Sequence, residues 1–149
     1  MSAAAFVAEA RKLKGAAWRH RGRKPWAVDC IGLLVVAGRG AGITAPDEKG
    51  YGREPWEDRL SCGLRARFGA PVTDWRAGDI AVIRWKKGEP SHVGVLADHP
   101  DGGLSIIHAH NLHGVIEHAL RGQVADCVVE VYRPFPGAPW RCPSGRTPR

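Results

Sequence analysis

Apolar residues recur along this chain with two different periods, and the change falls near Pro71. Ahead of it the spacing is helical. Ala5, Phe6, Ala8, Ala10 and Leu13 share one face of a helix predicted over 2–14, which Gly15 ends. Asp29 is placed to cap a second helix, with Cys30 in its first turn and Leu33, Leu34 and Val35 turned to a core. Gly38, Gly40 and Gly42 are expected to close it. Trp56, Leu60, Leu64 and Phe68 predict a third helix over 55–68. The stretches 15–28 and 43–54 read as loops. Beyond Pro71 the period approaches two. DIAVIRW (79–85), HVGVLAD (92–98), LSIIHAH (104–110), GVIEHAL (114–120) and CVVEVYR (127–133) read as strands. Turn chemistry joins them at Lys86–Pro90, Pro100–Gly103 and Asn111–Gly114. Helices followed by meandering strands predict an α+β fold, with N-terminal helices packed on an antiparallel sheet of roughly five strands.

Length and composition narrow this picture to one globular domain. The chain has 149 residues, 44% of them hydrophobic, enough for a two-layer core. That domain is expected over 1–135, followed by a Pro/Gly/Arg-rich tail over 136–149. Trp26, Trp56, Trp75 and Trp85 are expected in the core or a groove. No run approaches the ~18 apolar residues that span a bilayer, so membrane insertion is not expected. The start, MSAAAFVAEA, lacks a basic region, and Glu9 interrupts its apolar stretch; no secretory signal is read there, and synthesis in the cytoplasm is expected.

The net charge of +7 and pI near 9.7 favour a polyanionic partner. Basic residues cluster at Arg11, Lys12, Lys14, Arg19, Arg21, Arg23 and Lys24. No nucleic-acid motif accompanies them, so nucleic acid is not the expected partner. Cys30, Cys62, Cys127 and Cys142 contain no C-x-x-C pair, and reduced thiols are expected. A zinc site built from Cys30, His108, His110 and His113 would need irregular spacing; neither metal nor cofactor is expected.

The chemistry concentrates in VDCIGL (28–33). A thiol attacks as thiolate. In the first turn of a helix it feels the positive helix end, which lowers its pKa. A histidine lowers it further and moves the proton, and a third polar group orients that histidine. SHVGVLAD supplies His92 at a strand start, with Gly94 leaving the approach unblocked. IIHAH supplies His108, which an antiparallel hairpin could set beside His92. His110 lies on the same sheet face and is the rival orienting group. His99, His113 and His118 read as surface or turn residues. Asp79 reads as a turn residue at a strand start.

Asp29-Cys30-Ile31-Gly32-Leu33, then Gly78-Asp79, then His92-Val93-Gly94-Val95, then Ile107-His108-Ala109, occur in the order seen in NlpC/P60 cysteine peptidases. The chain resembles that family over roughly residues 5–133. GAAWRHRGR (15–23) is similar to the family's upstream segment, in its phage-tail and gene-transfer-agent form. The resemblance implies a papain-like NlpC-type fold, with Cys30 as nucleophile, His92 as general base and His108 as the residue orienting it. It implies an oxyanion site at the backbone N–H groups of the helix start, that of Cys30 included. It also implies hydrolysis of an amide in the peptidoglycan stem peptide, between D-glutamate through its γ-carboxyl and a diamino acid.

Trp18, His20, Asp29, Ser91 and His110 are the expected substrate-side residues. Trp18 stands where the family commonly has tyrosine and cannot accept a hydrogen bond, so His20 is expected to take over that polar role. The Arg19–Arg23 stretch is expected near the cleft, where it would attract an anionic stem peptide. A wall substrate and no read export signal lead to an expected delivery on a phage or phage-like tail, with tail-hub or tail-tip proteins as possible partners. The alternatives are a structural tail-hub or assembly protein with little activity, and an amidase or acyltransferase on the same fold.

Overall fold

The computed structural model describes residues 2–43, 47, 50–52, 57–88 and 91–135. The first helix, α1 (Ala3–Lys12), starts where Ser2 accepts a hydrogen bond from the Ala5 N–H at 3.0 Å, and buries Phe6, Val7 and Ala10. The predicted loop that follows contains three two-residue strands: β1 (Ala17–Trp18), β2 (Arg23–Lys24) and β3 (Ala27–Val28). β3 pairs with β1 in parallel and with β2 antiparallel. Pieces this short carry no periodicity, which is why the sequence pattern does not reveal them.

Helix α2 (Cys30–Gly40) is capped by Asp29 as expected. It does not stop at Gly38, and runs on to Gly40. At Gly40 a Cβ would lie 2.4 Å from the Glu9 carboxylate. The helix ends there, as expected, and Gly42 follows at a positive φ of 88°. Helix α3 (Glu57–Phe68) buries Leu60 and Leu64; Trp56, expected on the same face, lies outside the described residues.

The second half forms one five-stranded sheet in the order β7-β6-β5-β4-β8, every pair antiparallel. Its strands are β4 (Ile80–Ile83), β5 (His92–Asp98), β6 (Leu104–His110), β7 (Gly114–Ala119) and β8 (Val128–Tyr132). All five lie within the predicted runs, and β5 and β6 match them end to end. A short helix, α4 (Gln123–Asp126), precedes β8 and was not predicted. The expected α+β architecture is therefore the observed one.

Both sheet faces are buried. Ile80, Val82, Val93, Val95, Ile107 and Ala109 face α1 and α2. Ala81, Ile83, Leu96, Ile106 and Val131 form a smaller core on the other face. The alternation of two faces along each strand produces this division. Trp26, Trp75 and Trp85 are exposed, contrary to the core or groove expected for them; Trp26 sits in the tight turn between β2 and β3, where no layer covers it. Among the described residues no helix is long and apolar enough to cross a membrane. The tail over 136–149, with Cys142, lies outside the described residues.

One ion pair closes the sheet. Asp79, 2% exposed at the entry to β4, accepts two hydrogen bonds of 2.9 Å from Arg133, just past β8. It also accepts the Arg76 N–H at 2.8 Å, the turn role expected for it. The same guanidinium reaches the Asp74 carbonyl at 2.6 Å. Removing the cation strands a buried carboxylate. Arg133→Met is expected to lower unfolding stability by about 3 kcal/mol, read as a lower urea midpoint. A midpoint within error of wild type would contradict that role.

Candidate active site

The helix start at Cys30 is built around the Asp29 carboxylate, which is 3% exposed. Its Oδ1 accepts the Gly32 N–H at 2.7 Å, the helix cap, and Arg23 Nη1 at 3.3 Å. Its Oδ2 accepts the Arg21 N–H and the Tyr51 hydroxyl, each at 2.8 Å. Every lone pair of a buried carboxylate is thereby used. Asp29, expected among the substrate-side residues, thus holds the helix to the 19–23 loop with its carboxylate. Gly32 completes the junction. A Cβ there would sit 2.0 Å from the Gly22 carbonyl oxygen, so the loop can lie against the first turn only if residue 32 has no side chain.

The basic stretch beside this helix is likewise structural. The Arg23 side chain is 8% exposed and pairs with Asp47 at 2.9 Å. Burial opposes its charge, but hydrogen bonds with Asp47 and Tyr51 outweigh burial and raise its pKa. Arg21, held at a positive φ of 58°, donates to the Tyr51 carbonyl at 2.9 Å. Farther along, Arg11 and Lys14 pair with Glu117, and Lys12 with Glu9. The expected attraction of an anionic peptide to Arg19–Arg23 therefore reduces largely to Arg19.

Cys30 is buried, and the backbone N–H groups of Val93, Ile31 and Cys30 itself are directed at its sulfur. The thiol thus lies against β5 one residue along from His92. Burial pushes its pKa up to about 12, with the Asp29 charge adding to the rise; the three N–H groups act in the opposite direction and are outweighed. Desolvation overrides the helix-end effect expected to make this thiol acidic. Burial likewise lowers His92 to about 4, assisted by His110. Without substrate the pair is a neutral thiol and a neutral imidazole.

His92 Nε2 lies 2.9 Å from His108 Nδ1, the rings nearly perpendicular at 79°. His108 is 2% exposed, and burial followed by the neighbouring His92 lowers it to about 3. The structure brings His108, and not His110, against His92. His110 stacks on His113 with centroids 4.7 Å apart, and its Nδ1 accepts the N–H groups of Leu112 and His113. His99 and His113 are turn residues as expected. His118 is not: its Nε2 lies 2.8 Å from His108 Nε2. A strand register pairing Ile106 with His118 puts the three rings on one face, and alternation along β6 and β7 was the available signal. Gly94 does not hold open an approach. Ile106 fills that space, 2.7 Å from where a Cβ would be.

Of the remaining expected substrate-side residues, Trp18 packs against the helix-side core. Ser91 is 3% exposed, so its hydroxyl is not presented to solvent. His20 meets the Tyr51 ring edge-on at 5.9 Å. The phenol that bonds to Asp29 is Tyr51, in a stretch read only as loop; burial raises its pKa and keeps it protonated. An apolar cavity of about 160 Å³ between α1, α2 and α3 is lined by Phe6, Leu34, Leu60 and Leu64. Cys30, His92 and His108 are not in its wall.

With this geometry in view, comparison with known proteins is decisive about kinship. The sequence profile of the NlpC/P60 family matches residues 15–132. The chain belongs to the NlpC/P60 family. Its fold is similar to that of an NlpC/P60 family protein from Bacillus cereus ATCC 10987, with TM-score 0.66 and 20% identity over 91% of this chain and 41% of that one. It is similar to the NlpC/p60 domain of the peptidoglycan hydrolase SagA, with TM-score 0.60 and 23% identity over 89% and 98%. A lipoprotein-like family member from Staphylococcus aureus subsp. aureus Mu50 has TM-score 0.61 and 19% identity over 89% and 41%. The chain thus spans about two fifths of the length of the Bacillus and Staphylococcus proteins. No curated protein sequence matches it.

The buried titratable groups set the acid response of this NlpC/P60 domain. His92 and His108 have folded pKa values below the ordinary 6.5, so the unfolded chain binds their protons first. Their contribution is full above pH 6.5 and is lost as pH falls toward 4 and 3. Glu117, held by Arg11 and by the Ser105 hydroxyl at 2.6 Å, lies at about 2, below its ordinary 4.5. Its contribution is lost between 4.5 and 2. Tm is expected to fall in two overlapping stages on acidification. A His92→Asn/His108→Asn double variant should lose the stage that begins near 6.5 and keep the lower one, by calorimetry across pH.

Proposed function

We propose that this NlpC/P60 chain is a cysteine endopeptidase of the bacterial cell wall. The observation that carries the reading is a buried cysteine at a helix start, its sulfur at the Val93 N–H one residue along β5 from His92, with His92 in turn hydrogen-bonded to His108. The peptidoglycan hydrolase named among the structural neighbours supports the substrate class.

In this reading His92 takes the Cys30 proton as sulfur attacks the amide carbonyl carbon. Both groups are neutral beforehand, so the thiolate forms at attack and does not stand ready. Gly32 N–H is taken by Asp29, so the oxyanion falls to the N–H groups of Cys30 and Ile31, which turn from the sulfur to the charge that develops on the carbonyl oxygen. His92 returns its proton to the leaving amine as the C–N bond breaks. Water then attacks the thioester, giving one proton to His92, which passes it back to sulfur. His108 holds the His92 ring throughout. The bond assigned is that between γ-linked D-glutamate and a diamino acid.

Incubation with diaminopimelate-type peptidoglycan, read by mass spectrometry, tests this. Wild type is expected to release fragments ending in D-glutamate, and Cys30→Ala to lower the rate on the order of 10³-fold or more. Equal cleavage by both would sink the assignment of the nucleophile. Cleavage of another amide, dependent on Cys30, would move the activity to an amidase on the same fold.

The setting proposed is a phage or phage-like tail, where the enzyme opens the wall locally for DNA entry. This rests on the WRHRGR form of the segment at 18–23. The protein is then expected in purified particles by immunoblot. Its absence from them would remove the tail from the reading and leave the chemistry intact.

A further inference from the structure

Three imidazoles and one carbonyl form a row across β5, β6 and β7. His92 Nε2 meets His108 Nδ1 at 2.9 Å, His108 Nε2 meets His118 Nε2 at 2.8 Å, and His118 Nδ1 meets the Ala119 carbonyl oxygen at 3.2 Å. A neutral imidazole has one N–H and one lone pair. Each ring-to-ring contact needs one of each. A backbone carbonyl only accepts, so the row has a fixed end.

The proton positions follow from that end. His118 must carry its proton on Nδ1 to donate to Ala119. Its Nε2 is then a lone pair, and His108 must donate to it from Nε2. His108 Nδ1 is thereby an acceptor, and His92 must donate from Nε2. His92 Nδ1 is left as a bare lone pair. The opposite direction would require His118 to donate from both nitrogens, which only its imidazolium does. The other rings nearby do not compete. His110 has its Nδ1 occupied by two backbone N–H groups and stacks on His113.

We propose that His118 is a positioning residue: anchored on the Ala119 carbonyl, it sets the tautomers of His108 and His92 so that His92 Nδ1 is the free base. This rests on the reading of His92 as the base for Cys30. It adds a fourth member to the constellation, one that touches neither thiol nor substrate. The desolvation that keeps His92 and His108 neutral at neutral pH is what makes the tautomer count apply.

The first test needs no substrate. Two-bond ¹H–¹⁵N NMR of the full-length protein at neutral pH reads each tautomer directly. His92 and His108 are expected as Nε2–H and His118 as Nδ1–H. His108 found as Nδ1–H would overturn the proposal. The second test uses a soluble diaminopimelate-type muropeptide. His118→Phe removes the acceptor and is expected to lower kcat about 10- to 100-fold, with KM changed less than about twofold. His118→Gln offers a side-chain carbonyl to His108 and is expected to restore kcat to within about threefold of wild type. A Gln variant as slow as the Phe variant, with both folded by circular dichroism, would overturn it. If wild type cuts no muropeptide, the peptidase reading fails, while the NMR result still decides the tautomers.

Discussion

The arrangement of this protein depends on one buried carboxylate. Asp29 takes four hydrogen bonds from four places: its own helix, the backbone of the 19–23 loop, Arg23, and Tyr51 from a separate loop. An ionised carboxylate out of water is costly unless its lone pairs are met. Meeting them requires all four elements to arrive together. The residue next to it is Cys30, so the thiol's position is set by a constraint that has nothing to do with thiol chemistry. Gly32 and Gly22 allow the loop to come close enough, and Asp29 makes it worthwhile energetically.

The second theme is desolvation against fields. A helix end and three backbone N–H groups favour a thiolate at Cys30, yet burial and the Asp29 charge favour the thiol more strongly. The same burial strips charge from His92 and His108. A closed, neutral site has low intrinsic reactivity toward solvent electrophiles. It also confers direction, because neutral imidazoles must choose a tautomer, whereas charged ones donate from both nitrogens.

Much of this was legible in the residues and some was not. The period-two runs marked every strand of the large sheet, and β5 and β6 were right to the residue, because both sheet faces are buried and turn residues bound each run. Cys30, His92 and His108 were singled out from thiol chemistry together with the resemblance to the NlpC/P60 order of motifs, and His92 and His108 do meet. What escaped was contributed by long-range pairing. Tyr51 is 22 residues from the carboxylate it serves. His118 pairs across a register that the strand pattern permits but does not mark. The arginines of the upstream segment looked like a charged face because a sequence shows sign, not partner; the partners, Asp47 and Tyr51, lie in a loop with no periodicity. The helix-end argument for an acidic thiol failed for a similar reason, since burial is a tertiary quantity.

The strand order carries a further consequence for how the molecule is made. β4 lies between β5 and β8, and β8 comes last of the twelve described elements. Until Val128–Tyr132 has left the ribosome, one side of β4 is an open row of backbone donors and acceptors. Asp79 at its entry waits as well, since its cation is Arg133. β5, which bears His92, hangs from the other side of that same strand. The domain therefore cannot finish its sheet piecemeal as it emerges. Until β8 pairs with it, β4 keeps a free backbone edge and Asp79 keeps its charge without a cation, so the sheet and its buried ion pair are completed together by the last strand.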